Sequence, residues 1–129
     1  MPRFSFSSRE KLETCDTRLQ ALFEVVILYY DCKVLEGYRS KERQLELYYN
    51  EATRVKVGKH NSEPSLAVDV APYPIKWDDH KRFYLFAGFV LGVASVMGIP
   101  LRWGGDWDGD RDIHDQEFND LVHFEITSS

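Results

Sequence analysis

The chain is poor in cysteine, in net positive charge and in any apolar leader. Its two cysteines, Cys15 and Cys32, are too few for a disulfide scaffold, and their spacing matches no metal knuckle. Both are expected to be free thiols, as in a reducing cytosol. Lysine and arginine total 16 against 21 aspartates and glutamates, a net charge of -5. With no basic stripe, the electrostatic footprint of a nucleic-acid binder is missing. The opening residues MPRFSFSSREKLE turn polar at once and lack the apolar core of a secretory signal. Synthesis in the cytoplasm is expected, with any action outside the cell depending on release by other means.

The one long uncharged run, 83–101, covers 19 residues. Gly98 and Pro100 would end a helix there, leaving about 15 residues, or roughly 22 Å at 1.5 Å per residue. The hydrocarbon core of a bilayer is ~30 Å thick. The run is therefore expected to be a central buried helix without membrane insertion, in which Gly88 and Gly92 admit another backbone.

What remains describes one domain, 1–129. The chain is 43% hydrophobic and 29% charged, as in a globular protein. Ser7 and Glu10 resemble a capping box, and Leu12, Leu19, Leu22, Phe23, Val26 and Ile27 recur at helical spacing, which predicts a helix over 8–29. A short strand over 33–36 closes at Gly37. Ser40 caps a second helix with Leu45, Tyr48, Tyr49 and Ala52 on one face. Residues 55–64 form a loop, 66–70 a strand, 79–97 a third helix and 101–103 a short strand. An acidic loop over 104–117 precedes a last strand, 122–126. The fold class is α+β, three main helices on a small, mostly antiparallel sheet, and a monomer is expected.

Alternation in two strands carries the chemistry. Leu66, Val68 and Val70 face one way, Ala67 and Asp69 the other; Val122, Phe124 and Ile126 face one way, His123 and Glu125 the other. If the strands are neighbours, Asp69 and His123 meet, and His60 folds over from the preceding loop. Two imidazoles and a carboxylate suit zinc and leave a fourth position open. Zinc would supply the Lewis acidity that activates water at neutral pH. Asp120, three residues before His123, is placed to act as general base. Singly, each of these residues is as readily an ordinary surface or core polar group; together they suit a metal site.

Four motifs in order then resemble a known family. These are Gly37-Tyr38-Arg39-Ser40, His60 with Ser65-Leu66-Ala67-Val68-Asp69, Trp103-Gly104-Gly105-Asp106-Trp107, and Asp120-Leu121-Val122-His123-Phe124-Glu125. The chain resembles the LAS metallopeptidases, which include D-alanyl-D-alanine carboxypeptidases and phage L-alanyl-D-glutamate endopeptidases, and is most similar to the phage endolysin branch. The resemblance implies His60, Asp69 and His123 as zinc ligands, Asp120 as catalytic acid/base and Arg39 as the group holding the scissile carbonyl. It implies peptidoglycan as substrate, a host cytoplasm as the place of synthesis and action on the wall after release. A D-alanyl-D-alanine carboxypeptidase and a zinc-containing wall-binding module without turnover are the alternatives. The family pattern spaces the first two ligands by seven positions; here His60 and Asp69 are nine apart and Ser65 replaces a glycine. The extra residues, within 61–64, are expected to bulge out.

Around that site, Tyr38, Tyr73, Trp103 and Trp107 are candidate groove residues or core aromatics. Glu125 is a candidate to orient a ligand, or a salt-bridge partner. The acidic loop can also be laid on a twelve-residue calcium loop, with Asp106, Asp108, Asp110, Asp112 and Glu117 as ligands. Arg111 then stands where such loops use glycine.

Overall fold

The computed structural model describes residues 2–50, 58–112 and 120–127. Ala52, His114 and Glu117 lie outside the described residues. The element order is α1 (Phe6–Leu12), α2 (Thr17–Tyr29), β1 (Cys32–Glu36), α3 (Lys41–Tyr49), a 3-10 turn (Lys59–Asn61), β2 (Ala67–Pro72), α4 (His80–Met97), β3 (Leu101–Gly104) and β4 (Asp120–Ile126). The four strands form one antiparallel sheet in the order β1-β2-β4-β3.

The single helix expected over 8–29 is two. Ser5, not Ser7, caps α1 by accepting from the Ser8 amide at 3.1 Å. The chain then leaves the helical path because its backbone is needed elsewhere: Asp16 N–H donates to Ser65 O, and Ser65 N–H to Thr14 O. Asp16 restarts the helix, its carboxylate accepting from the Arg18 amide. This break pins the start of β2 and, with it, the loop carrying His60.

The core lies behind the sheet. Val68 and Val70 of β2, Phe124 and Ile126 of β4 and Trp103 of β3 pack against Leu22, Phe23 and Val26 of α2 and Phe86, Ala87 and Val90 of α4. Phe124 takes edge-on contacts from Phe23 and Phe86, with centroids 5.7 and 6.1 Å away. Burial of each such ring stabilises the fold by about 1.5–3 kcal/mol. Helix α4 ends where Gly98 turns left-handed at φ 72° and the Ile99 amide reaches back to Ala94 O.

Two sequence expectations about the helices fail. Helix α4 buries one face only; Leu85 and Val96 are exposed, and among the described residues a Cβ added at Gly88 or Gly92 would meet nothing within 4 Å. Its apolar length exceeds its buried face because α2 and the sheet cover one side. Among the described residues no helix is long and apolar enough to cross a membrane. Helix α3, capped by Ser40 as expected, turns Gln44 inward and leaves Leu45 and Tyr49 exposed. Gln44 is needed inside because it accepts a hydrogen bond from Arg39.

Candidate metal centre

Both central strands present their second face to the site. Asp69 of β2 is the cross-strand partner of His123 of β4, and Ala67 pairs with Glu125. In a strand pair such partners point to the same side, so the alternation that buries Val68 and Phe124 delivers Asp69 and His123 together. Gly37 closes β1 against α1, where an added Cβ would collide with Lys11 O and the Thr14 hydroxyl. Only glycine lets the turn into Tyr38 and Arg39 pass there. Gly104 is forced in the same way by the Asp120 backbone across from it.

The loop carrying His60 is tied to the loop carrying Arg39. Arg39 N–H donates to His60 O at 2.7 Å, and the Asn61 amide donates to Arg39 O at 2.7 Å. Glu63 and Pro64 are exposed, so the two additional positions are accommodated outward. Ser65 is fully buried, with its hydroxyl 2.6 Å from Ala67 O.

Ligand atoms of His60, Asp69 and His123 all lie within 4.8 Å of one another, and all three residues are buried. His60 Nδ1–H donates to the Gly37 carbonyl at 2.8 Å, which turns Nε2 toward Asp69 Oδ1 at 3.1 Å. His123 is oriented the other way round. Its Nε2–H donates to Glu125 Oε1 at 2.8 Å, and its Nδ1 faces Asp69 Oδ1 at 3.3 Å. Each imidazole therefore has one nitrogen anchored and one aimed inward, the arrangement a metal-binding histidine requires. The residues form a site able to hold a metal ion, and the nitrogen and oxygen donor set fits zinc.

The electrostatics follow from crowding. Burial opposes the Asp69 charge, but hydrogen bonds from His123 and His60 hold its carboxyl well below the usual range. Burial likewise opposes the charge on His123, yet Asp69 and Glu125 on its two sides push it up to about 9. A metal and that proton compete for the same nitrogen. Glu125 falls to about 2: burial works against it, and His123 and Arg102 prevail. Asp120, with Oδ2 4.0 Å from His123 Nδ1, is raised by burial first and by the Asp69 charge second.

Arg39 is buried beside the cluster, held by Glu36 at 2.7 Å, Gln44 Oε1 at 2.8 Å and Asp69 Oδ2 at 3.4 Å. Its Nε has no hydrogen-bond partner among the described residues. Trp107 lies against His123, with ring centroids 5.2 Å apart, and Tyr38 is half-exposed in the Arg39 loop. Tyr73 is exposed beyond the end of β2. Of the two readings open for Trp103, the structure favours the core one: it is 4% exposed, donates Nε1–H to Leu121 O and sits edge-on to Tyr84. Position 103 shares its strand face with Leu101, toward the helices, and cannot reach a groove in front of the sheet.

Four residues of the site escaped the sequence reading: Glu36, Gln44, Lys59 and Arg102. Lys59 and Arg102 both reach Glu125 Oε2, at 3.3 and 2.7 Å. Alternation along β3 was the available signal for Arg102, since it lies between core-facing Leu101 and Trp103. Gln44 gave no signal, because a glutamine in a helix is ordinarily solvated.

A second cluster lies in the acidic loop. Oxygens of Asp106, Asp108 and Asp110 come within 4.8 Å of one another, and Asp112 N–H donates to Asp110 Oδ1. Asp106 is raised from its ordinary value by burial first and then by Asp108 and Asp110, against the lowering hydrogen bond from the Arg111 amide.

Comparison with known proteins gives a consistent result. The family described as phage L-alanyl-D-glutamate peptidase matches residues 1–127. The L-alanyl-D-glutamate peptidase of Escherichia phage T5 is 27% identical over 120 residues, which is 88% of each chain. The crystal structure of the Serratia marcescens L-Ala D-Glu endopeptidase ChiX superposes with a TM-score of 0.78 at 27% identity, over 97% of this chain and 90% of that one.

Proposed function

The chain belongs to the phage L-alanyl-D-glutamate peptidase family, and on that premise we propose that it hydrolyses the L-alanyl-D-glutamate bond of peptidoglycan stem peptides with zinc held by His60, Asp69 and His123. One observation carries the reading: two imidazoles and one carboxylate converge within 4.8 Å, with each histidine anchored through its other ring nitrogen. Zinc bound there would supply Lewis acidity toward the scissile carbonyl. Asp120 takes a proton from the attacking water and returns it to the departing amine. Arg39 donates to the carbonyl oxygen as negative charge develops on it. Glu36, Gln44 and Asp69 hold the guanidinium in place, so little reorganisation is needed. Glu125 orients His123, and Trp107 and Tyr38 border the substrate. The protein acts as an endolysin, on the cell wall after release, and its activity lyses the host.

Digestion of purified peptidoglycan followed by mass spectrometry tests this. The expected products carry new L-alanine carboxyl ends and new D-glutamate amino ends. Release of D-alanine alone would mark a carboxypeptidase instead. Binding to the wall with no new ends would mark a module without turnover.

The acidic loop is proposed as a calcium site. Calcium takes oxygen ligands only, and Asp106 Oδ1 is buried with no hydrogen-bond partner among the described residues, beside Asp108 and Asp110.

A further inference from the structure

Resting on the zinc reading above, we propose that Arg102 is a positioning residue for the metal-binding ring of His123, holding that ring from its edge and from its face at once.

The edge contact runs through Glu125. Arg102 Nη2 donates to Glu125 Oε2 at 2.7 Å, and the other oxygen, Oε1, accepts from His123 Nε2 at 2.8 Å. Register places the residues for this. Arg102 is the cross-strand partner of Glu125, and Glu125 lies two positions from His123 on the same face of β4. The Glu125 side chain is 8% exposed, and a carboxylate that deeply placed requires a cation. With its charge matched by Arg102, it stays an acceptor for the ring N–H.

The face contact runs through Trp107. The Arg102 guanidinium lies 5.7 Å from the Trp107 ring centroid and also reaches Trp107 O at 3.4 Å. The indole in turn rests against the His123 ring at 5.2 Å, tilted by 42°. A planar guanidinium serves both partners, because it can direct hydrogen bonds in its plane while stacking on an aromatic face.

Lys59 provides the contrast. It approaches the same Glu125 oxygen at 3.3 Å and donates to Ile126 O, but among the described residues it makes no aromatic contact. Its ammonium adds counter-charge from the His60 side without bracing the indole. The side chain of Arg102 is 38% exposed, and Lys59 also faces Glu125, so loss of Arg102 still leaves the buried carboxylate one cation. Its effect is therefore expected on the ring of His123 more than on the fold.

The test uses cobalt(II) as a visible probe in place of zinc, in full-length protein and without reference to turnover. Arg102→Gln is expected to weaken cobalt binding by about 10-fold, within the 10–100-fold range of groups that orient a metal ligand. The cobalt absorption bands should shift as the ring reorients. Arg102→Lys, which keeps the charge, should recover part of the affinity but not the spectrum. In metal-free protein, at a pH high enough for the His123 ring to be neutral, nitrogen NMR should show the Nε2–H tautomer preference weakened in Arg102→Gln. Trp107→Leu should change the same spectrum, and the double variant should lose less affinity than the two single losses combined. The proposal is overturned if Arg102→Gln and Arg102→Lys both bind cobalt with the affinity and spectrum of the parent, even where melting temperature or activity falls. Should Arg102→Gln not fold, Arg102→Lys with Trp107→Leu makes the same decision. Failure of the parent protein to bind cobalt or zinc would instead overturn the zinc reading itself.

Discussion

Asp69 and His123 stand opposite each other in the β2–β4 ladder, with Asp69 Oδ1 3.3 Å from His123 Nδ1. A metal bound there would be held by the sheet itself, with a single ladder position supplying two of its three ligands. Protein purified without added metal should contain one zinc per chain, and His123→Ala should lose it. Glu125→Gln, which keeps the shape but not the charge behind His123, should cost about 10–100-fold in zinc affinity. Metal analysis and competitive titration measure both. A His60, Asp69, His123 triple variant that retains its zinc would put the site elsewhere.

Asp120 and Arg39 should be separable from metal binding. Asp120→Ala should keep zinc and the fold while turnover falls by about 10²–10⁴, the range for a lost general acid/base. Near-normal lysis by that variant would remove Asp120 from the mechanism. Arg39→Ala should cost about 10²–10³ in kcat by loss of oxyanion stabilisation. A change confined to KM would make Arg39 a binding residue.

The cluster of candidate ligands was legible because strand alternation is strict: one apolar face predicts where the polar face points. His60, Asp69 and His123 follow from that pattern and from the order of the motifs. The break between α1 and α2 was not legible, since Leu12 and Leu19 keep helical spacing across it. Only the long-range hydrogen bonds to Ser65 decide that residues 13–16 leave the helix. Trp103 could not be decided from the sequence, as it belongs to a motif next to the site but points to the other side of its strand.

The cysteines make a prediction about alkaline stability. Burial pushes both Cys15 and Cys32 from 9.0 up to about 12. In the unfolded chain each thiol ionises near its ordinary value, while in the folded protein it stays protonated. Between about pH 9 and 12 the unfolded state has thus lost protons that the folded state keeps. Stability falls as pH rises, by about 1.4 kcal/mol per pH unit for each thiol; below pH 9 this contribution is constant. Urea denaturation from pH 8 to 10.5 should show a shallower decline in Cys32→Ala than in the parent. Equal slopes would mean that the Cys32 thiol ionises freely in the folded state.

The acidic loop makes the last prediction, because one residue in it already holds the backbone shape that calcium loops need. In a twelve-residue calcium loop starting at Asp106, the sharp turn at position six calls for glycine. Arg111 occupies that position and adopts the left-handed conformation itself, at φ 66°. A non-glycine residue there costs on the order of 1 kcal/mol. The cost is partly offset by the hydrogen bond from Arg111 N–H to Asp106 Oδ2 at 2.8 Å. Gly109 is also left-handed, at φ 68°, so the turn is tight at two points. Asp106, Asp108 and Asp110 are thereby drawn close enough for their like charges to oppose one another, and a divalent cation would relieve that repulsion. Calorimetric titration should find one calcium per chain, bound more tightly than ~1 mM, the weak end of such loops. Asp108→Ala and Glu117→Ala should each abolish binding, and Arg111→Gly, which relieves the backbone, should retain it. Calcium should also raise the melting temperature of the parent and leave that of Asp108→Ala unchanged. Absence of saturable binding below ~1 mM would leave the three aspartates as a solvated loop, with Asp106 and Trp107 serving only the zinc side.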